Sequence, residues 1–264
     1  MSLIKGDNVT IKDNVIIGEN VILEDDVYID YGAIIKDNVH IKKGTYIGSS
    51  CILGEYLYDF FKDKINKRHL TLIGENSIIR SRTIIYGDTI IGDNFQTGHG
   101  VTIREKNNIG NNVRIGTNSD IQHECTIGNY VSIHSSVFMG EETEIEDFVW
   151  IFPNVVITND ATPPSNTITP VKIKKYASIC ARSTLLPGVV IGEKSLVCAG
   201  AVVSKDIEAG IAVAGVPAKK VKMTKDIINK NTGLPAYPWM ESFERGMPWK
   251  DIGFNKWEKL MDKI

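Results

Sequence analysis

The sequence predicts an all-β fold, a parallel β-helix of hexapeptide repeats. An aliphatic residue recurs at every sixth position, a small or β-branched residue follows four positions later, and turn-forming residues fill the spaces between them. Both recurring series point inward, so each hexad supplies one short strand and one corner. Three hexads close a triangular coil of 18 residues, and successive coils stack about 4.8 Å apart through parallel strand pairing.

The aliphatic series runs in three blocks. The first block is Ile11, Ile17, Leu23, Ile29, Ile35, Ile41, Ile47 and Leu53. The second runs from Ile73 to Ile157 and departs from Ile only at Thr97 and Met139, and the third runs from Ile173 to Val203. These 29 hexads predict nine to ten coils. An antiparallel barrel or sandwich, the alternative, rarely keeps one spacing through so many repeats.

The composition is that of a globular protein, with 264 residues, of which 42% are hydrophobic and 23% charged. A net charge of -2 gives no broad positive field for nucleic acid or an anionic membrane surface. The first residues lack the apolar core of a signal peptide, and no run of about 18 apolar residues occurs. We therefore expect a cytoplasmic protein without nucleic-acid or membrane partners.

Two segments break the repeat, 55–71 with four aromatic residues and 160–172 with three prolines. Both are predicted to be external loops of a β-helix domain spanning residues 1–222. After Val221 the composition changes, and PWMESFERG and FNKWEKLMDKI each suggest a short helix. We expect this tail, residues 223–264, to cap the last coils, because an open end exposes unpaired strand edges.

One polar column follows from the coil length, because residues 18 apart stack along the axis. Glu105, His123, Glu141 and Asn159 form such a series, each two residues after an inward aliphatic and therefore at an outward corner. A second series runs beside it: Tyr86, Arg104, Gln122 and Gly140. A histidine between two carboxylates can perform acid–base chemistry. The alternative is that outward corners are simply polar and that a histidine falls between acids by chance.

A metal site is not expected. The other histidines are predicted to be surface residues: His40 and His69 lie among lysines in the N-terminal half, and His99 and His134 occupy other corner positions without an acidic stack. The His-x4-His spacing of zinc carbonic anhydrases of this architecture is absent. The four cysteines lack CxxC spacing and are interpreted as packing residues.

The hexads IGENVI, IGNNVR and IGNYVS, together with AGVPAKK at Ala214 to Lys220, resemble the hexapeptide-repeat acyltransferases over residues 1 to about 222. The resemblance implies a left-handed β-helix. It also implies a homotrimer with active sites in the clefts between subunits, and acetyl-CoA as cosubstrate without a metal.

At a finer level the sequence is similar to N-acetyltransferases that act on dTDP-linked 3-amino-3,6-dideoxyhexoses. These enzymes serve cell-surface polysaccharide or S-layer glycan biosynthesis. The resemblance implies active-site roles for His123, Glu141 and Asn159. It favours the gluco sugar as acceptor, and the galacto epimer stays open. An O-acetyltransferase and a non-catalytic assembly module also remain open. An ice-binding surface is disfavoured, because the outward positions are mixed and charged rather than flat ranks of Thr.

The column also suggests how ligands run along the axis. Coenzyme A is expected at the C-terminal coils, where small residues leave the backbone open to pantetheine and lysines meet phosphates; these are Ala177, Ala181, Ala199, Gly200, Lys205, Lys219 and Lys220. The nucleotide is expected to run the other way, and the residues assigned to sugar-nucleotide binding are Gln122, Arg104, Arg80, Arg82 and Tyr86.

Overall fold

The computed structural model describes residues 3–62 and 69–261. It confirms the predicted fold, a left-handed parallel β-helix of hexapeptide repeats with three sheets. Sheet A contains Ile4–Lys5, Ile22–Leu23, Val39–Ile41, Thr71–Ile73, Ile90–Ile91, Asn108–Ile109, Thr126–Ile127, Glu144–Ile145, Lys172–Ile173 and Val190–Ile191. Sheet B contains Thr10–Ile11, Tyr28–Ile29, Tyr46–Ile47, Ile78–Ile79, Gln96–Thr97, Arg114–Ile115, Ser132–Ile133, Trp150–Ile151, Ser178–Ile179, Leu196–Val197, Ile211–Ala214 and Lys219–Met223. Sheet C contains Ile16–Ile17, Ile34–Ile35, Ile52–Glu55, Ile84–Tyr86, Thr102–Ile103, Asp120–Ile121, Phe138–Met139, Val156–Ile157, Thr184–Leu185 and Val202–Val203.

The strand register has the predicted step of 18 residues. Ile103 pairs with Ile121 and Ile121 with Met139. These inward side chains are fully buried and form one core along the axis. At the corners, residues such as Asn112 and Asn118 adopt positive φ angles of 59° and 56°, the left-handed conformation that Asn tolerates better than most residues. Strand and corner thus alternate as the repeat predicts.

The coil number is slightly higher than the predicted nine to ten. Over residues 3–62 and 69–261, sheets A and C have ten strands each, and sheet B has eleven parallel strands plus the antiparallel Lys219–Met223. The strand Ile4–Lys5 was missed because Lys5 occupies the aliphatic position, and Ile211–Ala214 lies beyond the last counted hexad.

Both insertions leave the prism at the edge where the chain passes from sheet C to sheet A, here called the C–A edge. The first connects Ile52–Glu55 to Thr71–Ile73 and contains the 3-10 helix Tyr58–Phe61. Part of that predicted loop, 63–68, falls outside the described residues. The second connects Val156–Ile157 to Lys172–Ile173. The edge that carries both loops is also the edge of the predicted polar column.

Part of the tail packs along the side of the prism, where Met240, Met247, Trp249 and Phe254 form a buried cluster with side chains of the coils. The reason is an aromatic ladder at the edge between sheets A and B. Tyr130, Phe148 and Tyr176 stack there with ring centres 5.0 and 5.2 Å apart, and the tail covers this apolar surface. Capping of the last coils by residues 223–264 stays a prediction.

The end of sheet B is covered by a hairpin, since Ile211–Ala214 pairs antiparallel with Lys219–Met223. Of the two predicted tail helices, the second is the α-helix Phe254–Met261, whereas the first is only the 3-10 helix Trp239–Glu241. Another 3-10 helix spans Thr224–Asp226. No helix in the described ranges has the length and apolar character needed to cross a membrane.

Candidate active site

The predicted column lies on one edge of the prism. Asp120–Ile121, Phe138–Met139 and Val156–Ile157 are adjacent strands of sheet C, and His123, Glu141 and Asn159 each follow one of them by two residues. His123 Nε2 lies 3.1 Å from Glu141 Oε1. Asn159 Nδ2 donates to Glu141 Oε2 at 3.4 Å. The three side chains therefore form one connected polar group on the C–A edge.

The side chains of this group are partly exposed, and the backbone beneath them is fixed. The His123 and Glu141 side chains are 29% and 31% exposed, so both can meet a ligand. The Glu142 amide donates to the His123 carbonyl at 3.0 Å, and the Glu124 amide donates to the Glu105 carbonyl at 3.1 Å. Backbone hydrogen bonds between the coils thus keep the His123 ring aligned with the Glu141 carboxylate.

Glu105 does not sit against His123 as the sequence suggested. The Arg104 guanidinium holds its carboxylate through two hydrogen bonds of 2.9 and 3.1 Å. Burial alone would raise the pKa of Glu105, but these bonds and its own backbone amide hold it below the usual range. The carboxylate nearest to His123 Nδ1 is Glu124, at 4.0 Å. His123 therefore has one close acidic partner, Glu141.

The neighbouring column also assembles on the C–A edge. The Cζ atom of Arg104 lies 4.9 Å from the centre of the Tyr86 ring, a cation–π contact. Gln122 Nε2 donates to Asp120 Oδ1 at 3.1 Å, and burial raises the pKa of that carboxyl. Three of the five residues assigned to sugar-nucleotide binding thus surround the His123 group.

The other two, Arg80 and Arg82, lie on a different edge. They follow Ile78–Ile79 of sheet B and occupy the turn into sheet C, here called the B–C edge. Arg80 donates to the Thr97 carbonyl. Within one chain, therefore, these arginines do not approach His123 together with Arg104.

The residues assigned to coenzyme A are divided between edges. Ala181, Ala199 and Gly200 lie on the B–C edge, whereas Lys205 belongs to the His123 column, two residues beyond Val202–Val203 of sheet C. Lys219 and Lys220 are exposed on the terminal strand of sheet B. Ala177 is fully buried in the core, so its proposed contact with pantetheine is wrong.

Sequence reasoning missed one residue of this edge, Asn107. Its side chain is buried, and its Nδ2 donates to the carbonyls of Arg104 and Gln122 at 2.8 and 3.0 Å. Its Oδ1 accepts from the Cys125 amide at 2.9 Å. The sequence feature that could have revealed it is a polar Asn at an inward position, in the series of small and β-branched residues that includes Thr89 and Cys125. Asn107 ties together the backbone of the coils that carry Arg104 and His123.

The absence of a side chain at Gly140 makes room for Asn159. An added Cβ at Gly140 would lie 3.2 Å from Asn159 Cγ and 3.0 Å from the Ile157 carbonyl oxygen. We expect Gly140→Ala to push the amide off Glu141 and to lower kcat/KM by about tenfold, the value of one hydrogen bond. The measurement is a double-mutant cycle with Asn159→Ala. An equal loss in both backgrounds would show that Gly140 does not act through Asn159.

The described cysteines and acidic clusters offer no alternative chemistry. Burial raises the pKa of Cys125 to about 12 and that of Cys51 to about 11, which keeps both thiols protonated and poorly nucleophilic. Over the described ranges, no group of three or more His, Cys, Asp or Glu side chains is arranged to hold a metal ion.

A comparison with known proteins finds a transferase repeat that includes His123 and Glu141 but ends before Asn159. Residues 108–141 match the family described as bacterial transferase hexapeptide (six repeats). Over 72 residues the chain is 39% identical to 2,3,4,5-tetrahydropyridine-2,6-dicarboxylate N-acetyltransferase of Staphylococcus aureus strain JH9. That alignment covers 27% of this chain and 29% of the relative, so the match spans less than a third of the relative's length.

Solved structures of similar proteins include a UDP-N-acetylglucosamine O-acyltransferase from Moraxella catarrhalis RH4, with 20% identity, a TM-score of 0.43, and coverage of 89% of this chain and 91% of that chain. Another is perosamine N-acetyltransferase from Caulobacter crescentus, with 20% identity, a TM-score of 0.34, and coverage of 53% and 56%. Residues 108–141 thus match the hexapeptide repeat of the bacterial transferases, and the same six-residue spacing extends through the other coils.

Proposed function

We propose that the protein transfers the acetyl group of acetyl-CoA to the 3-amino group of a dTDP-linked 3-amino-3,6-dideoxyhexose, with the gluco sugar preferred. The observation that carries this proposal is the connected His123, Glu141 and Asn159 group on the C–A edge. Two of its members lie within the segment that matches the transferase family. The relative that is 39% identical over 72 residues also bears the name of an N-acetyltransferase.

The contact between His123 and Glu141 favours one tautomer of the ring. Glu141 Oε1 lies 3.1 Å from Nε2, where an ionised carboxylate would repel a nitrogen lone pair, so the tautomer with the hydrogen on Nε2 is favoured. This leaves the lone pair on Nδ1, and Glu141 holds the ring in place. His123 Nδ1 is therefore the atom that accepts a proton from the attacking amine.

A weak base at His123 is sufficient for acetyl transfer, because the acceptor amine is partly neutral already. An amine flanked by electron-withdrawing groups has a pKa near that of an α-amino group, about 7.7 to 8.0, so a useful fraction is neutral at pH 7. The amine nitrogen attacks the thioester carbonyl carbon, the carbon–sulfur bond breaks, and the coenzyme A thiolate leaves. The amine proton passes to His123 Nδ1, while Asn159 and Glu141 orient the acceptor by hydrogen bonds.

The division of the site residues between two edges supports an assembly of several copies. The His123 column lies on the C–A edge, whereas Ala181, Ala199 and Gly200 lie on the B–C edge. One coenzyme A molecule can meet both sets only where the C–A edge of one subunit faces the B–C edge of another. A homotrimer with active sites between subunits, which the resemblance implies, provides this arrangement.

The ligand polarity proposed from the sequence fits the column. Lys205 lies on the C-terminal side of Asn159 in the same column, and Lys219 and Lys220 are exposed further along the chain. These ammonium groups can meet the phosphates of coenzyme A. Arg104 lies on the opposite side of His123, where it can meet the acceptor.

The test is an acetylation assay with a panel of nucleotide-linked sugars that includes the dTDP-linked 3-amino sugars in gluco and galacto form and a matched 3-hydroxy sugar. Product mass distinguishes turnover from thioester hydrolysis. We expect transfer to the 3-amino sugars and none to the 3-hydroxy sugar. Transfer to the hydroxyl alone would replace the proposal with an O-acetyltransferase. A failure to bind acetyl-CoA in calorimetry would leave a non-catalytic assembly module.

A further inference from the structure

A second polar groove runs along sheet B and the B–C edge, on a different edge of the same chain from the His123 group. It has a cavity of about 440 Å³ whose lining includes three arginines, Arg80, Arg114 and Arg245. Arg80 and Arg114 belong to the coils, whereas Arg245 comes from the tail. Residues of the tail therefore form one side of this groove.

The three guanidinium groups are not neutralised by the protein. Among the described residues, none of them has a carboxylate oxygen within 4.0 Å, in contrast to Arg104. Three unpaired guanidinium groups around one cavity repel one another, and a bound anion would remove that repulsion. Guanidinium groups bind phosphate oxygens through paired hydrogen bonds.

Two further polar atoms in the groove wall are unused. His134 Nε2 and Trp150 Nε1 are buried and have no hydrogen-bond partner within the described ranges. Both residues line the cavity. An unsatisfied buried donor costs about 1 to 3 kcal/mol in general, so groups of this kind usually have a ligand or water as partner.

An aromatic cavity adjoins the arginine groove and shares Trp150 with it. This second cavity, of about 280 Å³, is lined mainly by Phe152, Tyr237, Trp239 and Phe243 in addition to Trp150. Phe152 stacks on His134 with ring centres 4.9 Å apart. Flat apolar rings beside a cluster of arginines match a ligand that has a planar base next to phosphates.

We infer that the arginine groove and the aromatic cavity together bind a nucleoside diphosphate moiety. The diphosphate lies against Arg80, Arg114 and Arg245, and the base lies against the rings around Trp150. The volume of the arginine groove, about 440 Å³, falls in the range of small-molecule sites, and the aromatic cavity beside it adds about 280 Å³. If the proposed function holds, such a moiety has two sources, the sugar nucleotide and coenzyme A.

The tail is built into this site. Trp239 and Phe243 contact Trp150, with ring centres 5.9 and 5.3 Å apart. The tail backbone also approaches Arg114 closely, since an added Cβ at Gly246 would lie 2.7 Å from Arg114 Nη2. Docking of the tail on the coils thus brings Arg245 beside Arg114 and closes one side of the groove.

The test is calorimetric titration of the full chain with dTDP and, separately, with coenzyme A. We expect Arg114→Gln and Arg245→Gln each to weaken dTDP binding by about 10- to 100-fold, the value of one charge-assisted hydrogen bond. Arg114→Lys should weaken it less, because the charge remains. The matched control is Arg182→Gln, which removes the same charge from an exposed residue on the same edge, outside the groove, and should retain wild-type dTDP affinity.

The outcomes separate the two sources and the two proposals. Loss of coenzyme A affinity instead of dTDP affinity would support the groove and assign it to coenzyme A. Unchanged affinity for both ligands in Arg245→Gln, an exposed residue whose replacement should not change the melting temperature, would overturn the inference. If dTDP binds through these arginines but no acetyl transfer occurs, the groove stands and the proposed function fails. If transfer occurs with unchanged KM values for both the sugar nucleotide and acetyl-CoA in both variants, the groove alone fails.

Discussion

Replacing His123 by alanine should lower kcat by more than about 100-fold, the range expected for loss of a general base. The proposed base is Nδ1, because Nε2 faces Glu141 Oε1 at 3.1 Å. In the wild type kcat should fall steeply on the acidic side of the profile, because both the sugar amine and the base must be unprotonated. In His123→Ala only the amine remains to be protonated, so the acidic limb should become shallower by one proton. The measurement is kcat against pH with saturating acetyl-CoA and sugar nucleotide.

His40→Ala is the matched control for that experiment. His40 Nε2 lies 2.7 Å from Glu24 Oε1, so it forms the same kind of pair on the surface, but in the N-terminal coils and away from the C–A edge. Its replacement should leave kcat and the pH profile unchanged. A small loss in His123→Ala with an acidic limb as steep as that of the wild type would show that His123 only positions the amine.

Asn107→Ala should reduce the free energy of unfolding by about 2 to 4 kcal/mol, because it removes three buried hydrogen bonds: the two that Asn107 donates to the Arg104 and Gln122 carbonyls and the one that it accepts from the Cys125 amide. The Arg104 carbonyl keeps its bond from Thr89 Oγ1. For a chain of this size, the expected loss of stability corresponds to a fall in melting temperature of at least about 4 °C. The same change should lower kcat, since Asn107 fixes the backbone at Arg104 and Gln122. The measurements are thermal unfolding by circular dichroism and the acetylation rate.

Asn107→Thr should recover part of both losses, because threonine occupies the equivalent position in the neighbouring coils. There Thr89 Oγ1 donates to the Arg104 carbonyl at 3.1 Å and Thr143 Oγ1 to the Gly140 carbonyl at 2.7 Å. If Asn107→Ala melted at the wild-type temperature, the bonds of Asn107 would carry no net stability.

The fold could be predicted because one spacing determines both strand length and coil length. The inward series at Ile103, Ile121 and Met139 is visible in the sequence and pairs in the structure as predicted. The tail could not be placed by this reasoning. Tyr130 and Phe148 are 18 residues apart, but the insertion at 160–172 shifts their partner to Tyr176, which hides the aromatic ladder that the tail covers.

The column of His123, Glu141 and Asn159 was also accessible from the sequence, because positions 18 apart meet in any coil of this length. The sequence did not show which side chains of the column pair with one another. Glu105 is a neighbour of Arg104 in sequence and pairs with it rather than with His123, a competition that depends on side-chain rotamers. The groove with Arg245 was beyond sequence reasoning for another reason, since it depends on where the tail docks.

The most direct test of the account is a crystal structure of the protein with coenzyme A and the dTDP-linked 3-amino sugar. We predict that the sugar amine lies within hydrogen-bond distance, about 2.6 to 3.2 Å, of the His123 ring on the C–A edge, with a second subunit completing the cleft. A complex in which the amine is bound at another edge, out of reach of His123, Glu141 and Asn159, would contradict it.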